Sequence, residues 1–116
     1  MDYNHQDYID SNKLNNNLWR LPTVSELQEA FDYELGKPKI EGFASSNYWS
    51  STTHASYTSY AWFVGFDYGY SDYGSNKTYE YYVRYVRAGQ KELEWSESSS
   101  KPMTWKEAIE YAKTLQ

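Results

Sequence analysis

Few side chains in this sequence have the type and spacing that catalysis requires. The chain contains no cysteine, which excludes disulfides and thiolate chemistry. Its two histidines, His5 and His54, stand in polar segments, and we expect each to be solvated rather than to act as a general base. Ser50 and Ser51 lack the G-x-S-x-G context of a nucleophilic serine and are typical of a turn or of packed hydroxyls. We therefore predict that the protein is not an enzyme.

Oxygen ligands for a cation are present, but not in a metal-binding pattern. Asp67, Asp72, Asn76 and Glu80 supply carboxylate or amide oxygens within one short segment. Their spacing matches no recognised calcium loop. We expect ligand binding that needs neither a metal nor another cofactor.

Residue types suited to binding are concentrated between residues 48 and 87. Ten of the 14 tyrosines of the chain lie here, separated mainly by Ser, Thr, Asn, Asp and Gly. Tyrosine offers a large contact area and a hydroxyl at low entropic cost, and the small polar residues adapt to a partner, as in antibody paratopes. The alternative is that the rings pack a small β-rich domain, since Tyr favours strands. The predicted ligand-binding residues are His54, Ser56, Tyr57, Ser59, Tyr60, Phe63, Asp67, Tyr68, Tyr70, Asp72, Tyr73, Ser75, Asn76, Tyr79 and Tyr81.

Strands separated by turns must position these side chains. In the segment AWFVGFD, Trp62, Val64 and Phe66 alternate with the residues between them, which is the period of a half-buried strand. NYWSST, YYVRYVRAG and KELEWSE give similar, shorter signals, and clusters of Gly, Ser, Asn and Asp mark the turns. The sequence therefore predicts an antiparallel sheet with long loops.

A helix is predicted ahead of these strands. Thr23, followed three residues later by Glu26, has the pattern of a capping box, and apolar residues then recur on one helical face. We expect a helix over about residues 24 to 34, closed near Gly36 and Pro38.

A second helix is predicted at the end of the chain. Thr104 and Glu107 form another capping box, and the apolar face that follows comprises Trp105, Ala108, Ile109, Ala112 and Leu115. The predicted fold class is therefore α+β, with two helices packed on a twisted antiparallel sheet and long display loops. Residues 1 to 17 are predicted to be an irregular lead-in, and residues 18 to 116 a single domain.

Length and charge exclude several classes of function. A chain of 116 residues is expected to form one small core. With 11 basic and 16 acidic residues, its formal charge of −5 argues against a nucleic-acid partner. No apolar run approaches the roughly 18 residues of a membrane helix, and no signal peptide begins the sequence. We expect no membrane insertion, and these features leave the localisation unknown.

Four motifs follow one another along the chain, in the order WRLPTVSEL, YWSST, AWFVGF and YYVRYVRAG. Over about residues 18 to 90, they resemble the Lcl C-terminal domain family, named for the C-terminal domain of a bacterial collagen-like adhesin. The resemblance implies a fold similar to C-type lectin-like domains and to the formylglycine-generating enzyme superfamily. It also implies a recognition module at a cell surface or in a secreted protein. Formylglycine-generating relatives work through a copper-holding cysteine pair that this chain lacks.

The same broad group includes variable proteins of diversity-generating retroelements, in which adenine-templated positions are randomised. Such mutagenesis yields Asn, Tyr, Ser, Asp and His, the types that occupy the non-motif positions between residues 48 and 87. The resemblance therefore implies a diversified binding surface. Many relatives have a cysteine where this chain has Tyr85, so any disulfide at that position in relatives is absent here.

The motif residues are assigned to the scaffold rather than to the binding surface. Arg20, Arg84 and Arg87 are expected to satisfy backbone carbonyls or carboxylates such as that of Glu26, and a sulfated ligand is the alternative. By bulk and spacing, the predicted core residues are Trp19, Leu21, Trp49, Trp62, Val64, Phe66, Val83 and Val86. We expect Trp62 and Phe66 to be buried beneath an exposed face that bears Tyr57, Tyr68, Tyr70 and Tyr73.

The order of the segments departs from the family pattern. Relatives have the equivalents of ELEWSE and TWKEAIEYAKTL before WRLPT, whereas here they follow VRYVRAG. A circular permutation explains this order, because the first and last strands of a C-type lectin-like fold are neighbours. The alternative is a cut through a tandem array, with the last helix swapped into a partner of a homo-oligomer. In both cases, we expect the C-terminal strand and helix to complete a core.

The function predicted from the sequence is non-catalytic recognition through a Tyr/Ser/Asp-rich variable surface. The expected partner is a protein or glycan on another cell or a phage surface. The first alternative is a carbohydrate-binding adhesin domain that recognises a glycan or a sulfated polysaccharide. The second is an engineered or ancestral scaffold kept only for its fold. The sequence does not identify the ligand.

Overall fold

The computed structural model describes residues 18–67, 74–89 and 91–116. The elements in these residues are helices α1 (Val24–Glu29) and α2 (Trp105–Thr114) and strands β1 (Phe31–Asp32), β2 (Lys37–Pro38), β3 (Asn47–Thr53), β4 (Tyr60–Gly65), β5 (Ser75–Asn76), β6 (Val86–Ala88) and β7 (Leu93–Trp95). β1 pairs with β2, β6 pairs with β7, and β3, β4 and β5 form a three-stranded sheet, all antiparallel. The predicted α+β class is confirmed, but the strands form three separate antiparallel sheets rather than the one sheet that was predicted. Neither helix in the described residues has the length and apolar content needed to cross a bilayer.

The β3–β4 pair is the centre of the fold, and a core packs on each of its faces. Trp49 lies opposite Phe63, and the next residue pair, Tyr48 and Val64, points to the other face. The first face packs against α2 through a cluster that includes Trp49, Ala61, Trp105, Ala108, Ile109 and Ala112. The second face packs against α1 through Leu27, Ala30, Phe31, Tyr48, Val64 and Phe66. The strand predicted to be half-buried is therefore covered on both sides.

The first helix is shorter than its sequence pattern predicts. The capping box of Thr23 and Glu26 forms as expected, but the helix ends at Glu29 rather than near residue 34. Phe31 is 2% exposed and packs edge-to-face with Phe66, which draws the chain into β1. Asp32 Oδ1 then accepts the backbone N–H groups of residues 34 and 35, an Asx-type turn that replaces helical hydrogen bonds. Gly36 lies in this hairpin turn at φ 66°, so it does not cap a helix.

The C-terminal helix is tied to the central sheet by two tryptophan side chains. Trp49 Nε1 donates to the Met103 carbonyl at 3.0 Å, and Trp105 Nε1 donates to the Ser50 carbonyl at 2.9 Å. A buried indole N–H needs an acceptor, so these two bonds fix both ring positions. The hydroxyl of Tyr85 adds a third link by donating to the Ala108 carbonyl at 2.7 Å. Tyr85 thus connects the β6 region to α2.

Most of the predicted core is confirmed. The buried members are Leu21, Trp49, Val64, Phe66, Val83 and Val86. Trp19 and Trp62 are only half-buried, so the prediction that Trp62 lies beneath the surface is wrong. Trp62 shares the face of Val64 and Phe66. It lies near the start of β4, however, so it adjoins the exposed β3–β4 turn rather than the centre of the cluster that contains those two residues.

The described tyrosines of the central segment divide between packing and exposure. Tyr48 and Tyr85 are buried, and Tyr57 and Tyr79 are exposed by 64% and 59%. Half-buried positions are Tyr60, Tyr81 and Tyr82. Both interpretations of the tyrosine-rich composition therefore apply, each to different rings. Tyr68, Tyr70 and Tyr73 lie outside the described residues.

Deletion of residues 91–116 tests how far the fold depends on its C-terminal segment. We expect the shortened chain to lose cooperative thermal unfolding, because α2 and the partner strand of β6 are removed together. Trp105→Ala should lower the free energy of unfolding by about 3–5 kcal/mol. Tyr111→Ala, on the exposed side of the same helix, should change it by no more than about 0.5 kcal/mol. A cooperative transition of the shortened chain near the parent midpoint would contradict this prediction.

Two adjacent buried serines give a matched test of hydrogen bonding. Ser50 Oγ donates to the Trp62 carbonyl at 2.7 Å and accepts the Thr52 N–H at 3.1 Å, whereas Ser51 Oγ is buried with no hydrogen-bond partner among the described residues. Ser50→Ala should cost about 1–3 kcal/mol, since it leaves those two backbone groups unsatisfied. Ser51→Ala should be neutral or stabilising, because it removes a desolvated hydroxyl. Equal losses in chemical denaturation of the two variants would show that the bonds of Ser50 are unimportant.

Candidate functional site

The candidate site begins at the turn that joins β3 to β4. His54 donates its backbone N–H to the Tyr60 carbonyl at 2.9 Å, and Tyr60 donates its own to the Tyr57 carbonyl at 2.8 Å. These two bonds close the loop of residues 54–59 on itself. The predicted contact residues Ser56, Tyr57 and Ser59 are exposed on this loop. The loop therefore presents its side chains from a defined backbone.

The imidazole of His54 organises this turn from inside. Its Nδ1 atom accepts the backbone N–H groups of Ser56 at 3.1 Å and Tyr57 at 3.3 Å. An accepting Nδ1 places the ring proton on Nε2. The same ring stacks on Trp62 with centroids 5.2 Å apart and an interplanar angle of 13°. His54 was predicted to be a solvated contact residue, but its half-buried ring holds the loop conformation.

Four rings form a continuous aromatic strip along this end of the sheet. From Trp62, the strip continues through His54 to Tyr57, 5.3 Å away, and then to Tyr60, a further 6.0 Å. Tyr57 is the most exposed of the four, at 64%. We use the name aromatic strip for His54, Tyr57, Tyr60 and Trp62. The sequence analysis assigned Trp62 to the core. Its position near the start of β4, close to a polar turn, is the signal that could have corrected this.

A second turn, residues 76–79, lies directly beside the loop. Lys77 donates its backbone N–H to the Ser59 carbonyl at 2.9 Å, which joins the two turns. Asn76 Oδ1 accepts the N–H and the hydroxyl of Thr78, at 3.0 and 2.9 Å. This arrangement leaves Tyr79 59% exposed. The structure thus brings residues 54–60 and 76–79 together at one end of the β3–β4–β5 sheet.

Three predicted contact residues lie further inward. Ser75 is 9% exposed, and its hydroxyl shares a 2.7 Å hydrogen bond with that of Tyr81. Phe63 and Tyr81 pack against the core that holds α2, with their rings 5.0 Å apart. Ser75 was expected at the surface, but its pairing with Ala61 in the sheet turns it inward. Gly74 makes this close approach possible, since a Cβ at its φ of 91° would lie 2.7 Å from the Ala61 carbonyl oxygen.

The other predicted contact residues follow β4. Asp67 is exposed at the end of the strand. Tyr68, Tyr70, Asp72 and Tyr73 lie outside the described residues. Their part in the surface therefore stays a prediction.

The three arginines of the motifs have structural partners, as the first of the two expectations proposed. Arg20 forms a bidentate ion pair with Glu26, both N···O distances being 2.8 Å. Arg87 pairs with Glu94 at 2.9 Å. Arg84 donates to the carbonyls of Glu41 and Ser96, at 2.8 and 2.6 Å.

No metal-binding constellation is present in residues 18–67, 74–89 and 91–116. In these residues, no group of three or more His, Asp or Glu side chains is placed to hold a metal ion. The hydroxyl of Ser50 is engaged in the sheet by the Trp62 carbonyl, which agrees with the expectation of a packed hydroxyl. The side chains gathered at the sheet end are aromatic, hydroxyl and amide groups, which bind by stacking and hydrogen bonding.

Comparison with known protein families places these features in context. The model of the Lcl C-terminal domain matches residues 3–87. This chain belongs to the Lcl C-terminal domain family. The match includes every predicted contact residue, and residues 88–116, with β7 and α2, lie beyond it. Neither the search of curated proteins nor that of solved structures gives a match.

Membership in the family suggests an adhesin-type surface domain. The match begins at residue 3, so it extends further toward the N-terminus than the resemblance over residues 18 to 90. The WRLPTVSEL motif of this Lcl C-terminal domain contains the Arg20–Glu26 pair, because Arg20 precedes α1 and Glu26 completes its capping box. The motif therefore encodes an ion pair as well as a helix start.

The ion pair predicts how the stability of this Lcl C-terminal domain depends on pH. Burial raises the pKa of Glu26, but hydrogen bonds from Arg20 and Thr23 more than offset this, so its pKa lies below the usual carboxyl value. Hydrogen bonds from Thr104 also lower the pKa of Glu107 in the second capping box. A carboxyl whose pKa is lowered by folding stabilises the protein above its unfolded pKa, and this stability is lost as pH falls through the folded value.

We therefore expect the melting midpoint to be constant from neutral pH to about pH 5 and to decrease at lower pH. Glu26→Gln should lower the midpoint at pH 7 and flatten the acid decline, leaving the part due to Glu107. Glu34→Gln, in the exposed β1–β2 turn, is the control for loss of one carboxylate. Melting curves between pH 2 and 8 measure both effects, and an unchanged acid slope in Glu26→Gln would refute the assignment.

Proposed function

We propose that this domain is a non-catalytic recognition module whose ligand binds at the sheet end formed by residues 54–60 and 76–79. The observation that supports this most directly is the aromatic strip with exposed Tyr57, set beside exposed Tyr79. Tyrosine and tryptophan are enriched at binding hot spots because they bury a large area and also form hydrogen bonds.

The backbone beneath these side chains supports the same proposal. The loop is closed by hydrogen bonds of its own, by two bonds to His54 Nδ1 and by the link from Lys77 to Ser59. A binding loop that is ordered before it meets its ligand loses less conformational entropy on association. The serines of the loop and Thr78 supply adaptable polar contacts around the rings.

We further propose that the fold is C-type lectin-like and that the surface is diversified by a retroelement. The family and the concentration of Tyr, Ser, Asn and Asp at non-motif positions support both proposals. An adenine-rich, near-identical template repeat beside the coding sequence would be expected for such a system. A coding locus without a template repeat or a reverse transcriptase would count against diversification, without affecting the binding surface.

A glycan is the second candidate ligand, and the packing of His54 on Trp62 favours it. Parallel rings at a surface offer a flat face on which a sugar ring can stack, and neighbouring hydroxyl and amide groups can bind its hydroxyls. Sulfated polysaccharide is less well supported, because Arg20 and Arg87 are already paired with carboxylates.

Tyrosine substitutions test the proposed surface. A glycan array and a panel of cell-surface proteins would first identify a ligand for the parent domain. The double variant Tyr57→Ser/Tyr79→Ser should then weaken binding by at least about 2 kcal/mol, since exposed aromatic anchors dominate such interfaces. Its melting midpoint should change little, because surface substitutions cost about 0.5 kcal/mol or less each.

Tyr33 and Tyr111 provide the matched control, because they are 59% and 48% exposed on other parts of the molecule. The variant Tyr33→Ser/Tyr111→Ser removes the same groups and should bind like the parent. Equal loss of binding in both double variants, or unfolding of Tyr57→Ser/Tyr79→Ser, would show that the proposed surface is not the site.

A further inference from the structure

Arg84 is a buried cation without a carboxylate partner in the described residues. Its side chain lies in a residue that is 5% exposed, and no Asp or Glu oxygen among those residues comes within 4.0 Å of it. Nε donates to the Ser96 carbonyl and Nη1 to the Glu41 carbonyl. The guanidinium also lies over the rings of Phe43 and Trp95, at 4.5 and 5.6 Å from their centroids. These contacts orient the group but leave its charge uncompensated.

The hydrogen-bonding capacity of this guanidinium is only partly used. An arginine has five N–H donors, and the described residues accept one from Nε and one from Nη1, with none accepted from Nη2. A buried charge costs several kcal/mol unless it is paired, and neutral carbonyls and ring faces offset only part of that cost. An acceptor group bound at Nη2 would complete the arrangement.

Arg84 is one of the residues that line an open groove of about 600 Å³. Its lining residues include members of α1 and β7, and none of them belongs to the loop of residues 54–59. Ala30, Ile40 and Leu93 give it an apolar lining, and Trp95 supplies one aromatic wall. Two exposed glutamates, Glu29 and Glu92, also line it. Glu26 lines it as well, but its carboxylate is already paired with Arg20.

We propose that this groove binds a ligand with a carboxylate and an ammonium group separated by an apolar chain. The carboxylate contacts the free Nη2 donors of Arg84, the apolar chain lies along Ile40 and Leu93, and the ammonium faces Glu29 and Glu92. Charge complementarity supports this choice, because the groove is lined by one cation and two carboxylates that have no ion-pair partner among the described residues, together with apolar side chains. A lysine residue at the C-terminus of a peptide has these groups, and so does free lysine.

The two glutamates make a dense polyanion a poor occupant. A sulfated or phosphorylated ligand would bring several negative charges next to Glu29 and Glu92, in a protein whose formal charge is already −5. A simple cation is equally unsuitable, because it would face the charge of Arg84. A zwitterion offers a negative charge to Arg84 and a positive charge to the two glutamates.

The probe for this proposal is 6-aminohexanoate, with hexanoate, hexylamine and inorganic sulfate as comparisons. Binding is followed by the NMR signals of the Arg84 Nε–H and the Trp95 indole N–H. We expect saturable shifts of both signals, with 6-aminohexanoate at least about tenfold tighter than hexanoate or hexylamine, since each charged contact contributes to its affinity. Free lysine and a tripeptide ending in lysine then distinguish an amino-acid ligand from a protein terminus.

Substitution of the glutamates avoids the risk that removing Arg84 unfolds the domain. Glu29→Gln/Glu92→Gln should weaken 6-aminohexanoate binding about tenfold and leave hexanoate binding unchanged or stronger. Glu34→Gln/Glu110→Gln makes the same charge change at two exposed glutamates outside the groove and should have no effect. Arg84→Lys, if folded, should weaken the binding of 6-aminohexanoate and of hexanoate to the same extent.

Two results would overturn the proposal. The first is the absence of saturable shifts with 6-aminohexanoate at concentrations up to tens of millimolar, about the weakest affinity that one or two charged contacts would give. The second is tighter binding of sulfate, strengthened by Glu29→Gln/Glu92→Gln, which would identify an anion site. Neither result bears on the aromatic strip, because the groove is formed by other residues.

Discussion

Two reciprocal indole hydrogen bonds hold the central sheet and the C-terminal segment together. Trp49 of β3 donates to the carbonyl of Met103, and Trp105 of α2 donates to the carbonyl of Ser50. The partners are 54 and 55 residues apart in sequence. Because both rings are buried, loss of either bond would leave an unsatisfied N–H in the core. This pair of bonds therefore fixes where α2 lies on β3, and the packing of the first core follows from it.

On the opposite face of the sheet, arginines add links between segments to the packing of the second core. The Arg20–Glu26 pair fixes the start of α1, while backbone bonds between Arg20 and Val86 connect the same residue to β6. Arg84 joins the segment around Glu41 to that around Ser96. The arginines thus crosslink loops that have little regular secondary structure. They differ in one respect, since Arg20 is paired with the carboxylate of Glu26, whereas Arg84 has no carboxylate partner among the described residues.

Covering both faces of β3 and β4 directs the polar chemistry to the end of the sheet. The middle of each strand is occupied by packing against α1 or α2, so exposed side chains collect where the strands meet their turns. There, His54 holds the loop through its ring nitrogen, and Tyr57 and Tyr79 extend outward. A scaffold of this kind tolerates changes in exposed turn residues, because few core contacts depend on them. This property is compatible with the variable surface proposed above.

Local sequence patterns determined the elements whose causes are themselves local. Both capping boxes, the β3 and β4 strands, the short strand near Trp95 and the buried face of α2 follow from residue types at spacings of a few positions. Tertiary contacts decided the rest. Burial of Phe31 against Phe66 ended α1 early, and the position of Trp62 near a strand end left it beside His54. The groove at Arg84 forms only when α1, residue 40 and β7 come together in the folded chain. A short stretch of sequence cannot predict it, because the contacts that form it join residues more than 40 positions apart.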